Sequence, residues 1–141
     1  MKKTSIARLI LTVGLILVGF VMPGDNLGGE TPGLTRSHSG GGVRVEATYL
    51  NPQDTEAARF QVRMNTHSVN LDAYDLKALS LLRDETGRVY RATDVENRGS
   101  GHHRTVILYF PGVPAGIQNL ELIIKGVAGV EERSFLWERS S

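Results

Sequence analysis

Two segments carry most of the side chains able to do chemistry. Residues 65–75 hold Asn65, His67, Ser68, Asn70, Asp72 and Asp75, and residues 98–104 hold Arg98, Ser100, His102, His103 and Arg104. Neutral imidazole is the commonest nitrogen ligand of transition metals. His67 with His102 or His103, completed by Asp72 or Asp75, would therefore form a mixed nitrogen and oxygen set for Zn or Cu. Adjacent histidines on a strand point to opposite faces, so both reach one ion only if Gly99 and Gly101 keep them in irregular backbone. A structural reading stands beside the metal one: His67 and one of the pair bond loop carbonyls and stiffen the connection, while the other is exposed. A third use is ligand binding through His67, Ser68, Asp72 and Arg104, which needs no cofactor.

Other chemistries find less support. Ser68 adjoins His67 and Ser100 lies near His102, but neither sits in a G-x-S-x-G elbow, and sequence neighbours rarely have triad geometry, so the chain reads as a non-enzyme. Asn70, Asp72 and Asp75 lack the alternating acids, central glycine and closing glutamate of a calcium loop. The chain has no cysteine, which excludes disulfides, thiolate metal centres, thiol catalysis and a lipid-modified N-terminal cysteine. From Val43 onward there are 12 basic and 13 acidic residues, without the basic excess a nucleic-acid binder carries. Arg83, Arg88, Arg91, Arg98 and Arg104 are close in sequence. They read either as a surface for an acidic glycan or lipid headgroup, or as the charged solvent face of two edge strands.

The elements that must position these groups have a period of two. Val43, Val45, Ala47 and Tyr49 alternate with Arg44, Glu46 and Thr48, and Phe60, Val62 and Met64 repeat the pattern after a turn at residues 51–54. A strand ends at Asp84, and Glu85, Thr86 and Gly87 close a hairpin into residues 88–91. Further alternation runs through 106–110, 120–125 and 134–138, and only residues 71–77 suit a short helical turn, capped by Asn70 or Asp72. About seven short strands in 100 residues predict an all-β, immunoglobulin-like antiparallel two-sheet sandwich over 43–141. The connection between residues 92 and 103 is long enough to cross between sheets.

Before that domain, Lys2, Lys3 and Arg8 precede the uncharged run 9–22, closed by Pro23 and Gly24. This is the layout of a secretory signal peptide over 1–23 or, if uncleaved, of a signal anchor. No A-x-A-like site follows the run, and 14 residues of helix span roughly 21 Å, short of a bilayer core unless Ile6 and Ala7 extend it. Either outcome delivers the rest of the chain to the outer face. Residues 24–42 contain seven glycines and no apolar periodicity. They are expected to be a flexible linker, with His38 a solvated residue within it.

The order of Thr66-His67-Ser68, Leu71-Asp72, Asp84-x-x-Gly87, Gly101-His102-His103-Arg104, Phe110-Pro111 and Glu132-Arg133-x-Phe135-x-Trp137 resembles an uncharacterised family of exported prokaryotic domains. The layout is also similar to immunoglobulin-like sandwiches found behind bacterial signal or lipoprotein segments, although no cysteine follows the apolar run here. The resemblance implies fold and location and no established activity. The expectation is an extracytoplasmic module at the cell envelope or secreted, binding an envelope protein or small ligand and no nucleic acid, with the membrane engaged through the N-terminal segment if uncleaved. The alternative is an exported metal-binding or metal-delivery protein.

Overall fold

A computed structural model describes residues 33–139 of the chain, so the signal or anchor expected over 1–23 lies outside the described residues. Nine strands are present among the described residues: β1 (Thr35–Gly40), β2 (Val43–Tyr49), β3 (Ala57–Thr66), β4 (Ser80–Asp84), β5 (Val89–Arg91), β6 (Asp94–Asn97), β7 (His103–Pro111), β8 (Asn119–Val127) and β9 (Val130–Glu138). Among the described residues helix is confined to a 3-10 turn at Leu71–Ala73 and the single turn α1 at Leu76–Leu79. Their caps are Asn70, which accepts from the Asp72 N–H, and Asp75, which accepts from the Ala78 N–H.

One sheet has the order β1-β2-β3-β7-β6 and the other β5-β4-β8-β9, and every pairing is antiparallel. Leaving β1 aside, this is the A-B-E-D against C′-C-F-G strand order of an immunoglobulin-like sandwich. The inward residues are those that the alternation marks: Val43, Val45, Ala47 and Tyr49 on β2, Phe60, Val62 and Met64 on β3, and Leu120, Leu122 and Ile124 on β8, all essentially inaccessible. The centre is aromatic. Phe60 stacks on Tyr49 at 4.5 Å, sits 5.1 Å from Trp137 and meets the edge of Phe110 at 5.8 Å. The Asp84–Gly87 hairpin forms as expected, with Gly87 at φ 87° donating to the Asp84 carbonyl.

The sequence expectation for residues 24–42 needs correction where the structure describes them. Residues 35–40 are not a linker but β1, paired along its whole length with β2 from Thr35↔Thr48 to Gly40↔Val43. The reason is a tight turn at Gly41 and Gly42, both with positive φ, where a Cβ on Gly41 would collide with the Ala128 carbonyl oxygen. The domain therefore starts before Val43. Trp137 Nε1 donates to the Leu34 carbonyl at 2.7 Å and Arg36 Nε to the Leu136 carbonyl at 3.0 Å, closing the seam between β1 and β9. His38 is likewise not a free linker residue: its Nδ1 accepts from Arg133 Nη1 at 3.0 Å.

The crossing between sheets is made by only Ala92 and Thr93, because residues 94–97 form β6 on the far sheet. The strand directions divide the connections between two poles. At one lie the β1–β2 and β8–β9 turns, the β3–β4 segment and the β6–β7 loop. At the other lie the β2–β3, β4–β5 and β7–β8 connections, together with Gly33 where the described chain begins and Arg139 where it ends.

Candidate functional site

The two segments singled out from the sequence meet at the first pole. β3 delivers Thr66, whose hydroxyl donates to the Gly42 carbonyl and accepts from the Ser68 and Val69 N–H groups, so the chain leaves the sheet in a fixed direction. β7 delivers Arg104 on its inward face, only 8% exposed. Its guanidinium donates to the Leu71 carbonyl at 2.8 Å, to the Tyr74 carbonyl at 2.7 Å, and to Asn97 Oδ1 at 2.8 Å. A planar fork of donors can bridge the carbonyls of one segment and an amide side chain of another, which a lysine ammonium cannot do in the same geometry. The β6–β7 loop is held from the opposite direction, because both oxygens of Asp72 accept from the Gly101 N–H at 3.0 and 3.1 Å. Tyr74 reaches a third connection, its hydroxyl accepting from the Ala128 N–H at 3.0 Å.

The histidines divide. His102 Nδ1 lies 3.1 Å from the Val69 carbonyl, which can only accept, so that nitrogen carries the proton. This is the carbonyl-stiffening role expected for one of the adjacent pair. His103 opens β7 and bonds Asn65 Oδ1 at 2.8 Å, on the outer face of the sheet. His67 and Ser68 are both exposed at the turn after β3. The donors of the zinc or copper reading are thus spread over separate duties: Asp72 on Gly101, Asp75 on the cap of α1, His102 on Val69 and His103 on Asn65. Among the described residues no group of three His, Cys, Asp or Glu side chains is placed to hold a metal ion. Of the four ligand-binding candidates, His67 and Ser68 face outward, while Asp72 and Arg104 hold backbone.

The arginine cluster does not form one surface. Arg83 pairs with Glu121 at 2.7 Å on one sheet and Arg98 with Glu96 at 2.9 Å on the other. Arg88 lies 5.0 Å from the centre of the Tyr90 ring, Arg104 is inside, and Arg91 is exposed. Charged side chains alternating in sign on the sheet faces suit solvent and discourage sheet-to-sheet pairing.

Sequence reasoning missed two contributors. Arg133 is fully buried beneath the same pole and donates to His38, to the Gly40 carbonyl at 2.8 Å and to the Val127 carbonyl at 3.3 Å, tying the β1–β2 and β8–β9 turns together. Asn97 supplies the side-chain acceptor for Arg104. The signal for Arg133 is parity: it shares the inward face with Phe135 and Trp137, two and four residues on. Among the described residues no helix is long and apolar enough to cross a membrane. No known family, characterised protein or solved structure matches the chain.

Proposed function

We propose that this protein is an exported, non-enzymatic β-sandwich module that binds a ligand or protein partner at the cell envelope through the pole built around His67 and Ser68. One observation carries the reading. Four connections drawn from both sheets are locked together by Thr66, Asp72, Tyr74, His102, Arg104 and Arg133, while His67, Ser68, Asn70 and Ser100 remain exposed on that fixed backbone. Loops held by a rigid scaffold are where sandwiches recognise partners, and order established before binding lowers its entropic cost. The positively charged start and uncharged run of the N-terminus support export.

The test is site-specific photo-crosslinking in intact cells. A photoreactive residue at Ser68 or His67 is expected to capture a discrete partner that the same residue at Gln53, on the opposite pole, does not. Equal capture at both poles, or none at Ser68 and His67, overturns the assignment of this pole.

A further inference from the structure

A second feature lies on the flank of the sandwich, below α1 and beside the sheet crossing. An open cavity of about 380 Å³ is lined by Asp75, Lys77 and Ala78 of the α1 segment, Ser80 of β4, Arg91 of β5 and Ala92 of the crossing, with Asp75, Lys77, Ala78 and Arg91 exposed. That size falls at the small end of ligand pockets, roughly 300 to 1,000 Å³. Ser80 is 3% exposed, and its hydroxyl has no hydrogen-bond partner among the described residues. That oxygen is closed off from solvent, so it lies unpaired behind the wall and does not face the cavity. Lys77 and Arg91 come from different elements and neither enters an ion pair among the described residues, in contrast to Arg83 and Arg98 nearby in sequence. Asp75 uses one oxygen, Oδ1, to cap α1, which leaves Oδ2 as an open acceptor.

These groups impose a chemistry. Two unpaired cations favour a carboxylate, to which arginine can present two parallel donors. A simple dianion would be repelled by Asp75, whereas a ligand with a hydrogen-bond donor beside its carboxylate satisfies both signs. Ala78 and Ala92 offer small apolar contacts and no further polar demand. We propose that this cavity binds a small carboxylate bearing an adjacent hydroxyl or ammonium group, the carboxylate held by Lys77 and Arg91 and the donor by Asp75. The site is separate from the His67 pole, so its failure would leave that reading standing.

Calorimetric titration of the full chain at low salt tests this with three probes: galacturonate, which carries hydroxyl donors, glycine, which carries an ammonium, and acetate, which carries neither. Galacturonate or glycine is expected to saturate with a Kd of about 1 mM, and whichever does so identifies the donor. Acetate is expected to bind about tenfold more weakly. Lys77→Gln and Arg91→Gln should each weaken binding roughly threefold to fivefold, as for partly exposed charge pairs, while Arg59→Gln on the outer face of the other sheet should not. Ser80→Ala should leave binding unchanged and the melting temperature of the free protein unchanged or raised, because the hydroxyl it removes is closed off and has no partner among the described residues. Absence of saturation by both donor-bearing probes, equal affinity for acetate, or indifference to Lys77→Gln and Arg91→Gln overturns the proposal.

Discussion

Three arginines, Arg104, Arg133 and Arg139, are buried with no ion-pair partner among the described residues, and carbonyl and amide oxygens take most of their donors. Burial pulls the Arg133 guanidinium down from its ordinary value, with Tyr74 acting in the other direction, and its Nε finds no partner among the described residues. Arg139 does for the opposite pole what Arg104 does for the first, donating to the carbonyls of Pro52, Pro114 and Ile117. Parity carries a signal for these positions that the sequence analysis did not use: Arg104 precedes Val106, Leu108 and Phe110 on one face of β7. Proximity to His102 and His103 instead suggested a ligand-facing role, because sequence neighbours share a segment and not a face. Asp84 is the buried acid that the hairpin requires. Burial would raise its carboxyl, but bonds from the Thr86 hydroxyl and N–H, the Tyr90 hydroxyl and the Arg88 N–H outweigh that and hold it below its ordinary value. A carboxyl depressed in the folded state contributes stability above its unfolded value, near pH 4, that is lost as pH falls through the lower folded value. Asp84→Asn is therefore expected to cost about 1 to 3 kcal/mol at neutral pH and to flatten the acid limb of a stability profile measured by urea unfolding. An acid limb identical to that of the parent protein would refute this role.

At the scale of elements, seven strands could be read from alternation and two could not, and those two, β1 and β6, are the edges of the same sheet. Alternation is visible only when one face of a strand is apolar. β1 reads Thr-Arg-Ser-His-Ser-Gly and β6 reads Asp-Val-Glu-Asn, so neither carries an apolar stripe, and each is defined by the neighbour it pairs with. The glycines flanking β1 carry the same message in a linker as in a hairpin, and the contact that distinguishes the two, His38 with Arg133, joins residues 95 positions apart. That contact makes β1 testable as an element. His38→Ala removes an acceptor from a buried guanidinium and is expected to cost about 1 to 2 kcal/mol, with faster hydrogen exchange along β1 and unchanged exchange in β8. Unchanged stability and exchange would show that β1 is held by its ladder alone.

For the molecule as a whole, turn spacing and composition were enough for a two-sheet sandwich, and the pole that gathers the polar loops was legible as a cluster. The division of labour within it was not, because which side chain turns inward depends on strand ends that fell within loops in the sequence reading. Export remains a proposal resting on Lys2, Lys3, Arg8 and the run 9–22. Alkaline phosphatase fused after Ser141, where it leaves β1 intact, is expected to be active outside the cytoplasm. An inactive fusion retained in the cytoplasm would overturn the targeting argument. The placement of β1 also has a mechanical consequence. The described chain begins and ends at one pole while His67 sits at the other, about 30 Å away for a strand of nine residues such as β7. A partner held at His67 and an attachment before Gly33 would put the molecule under tension along the strand direction. The bonds joining β1 to β2 run across that direction, so the load falls on the six paired positions together, in shear, and the strand that looked like slack becomes the part that resists being pulled.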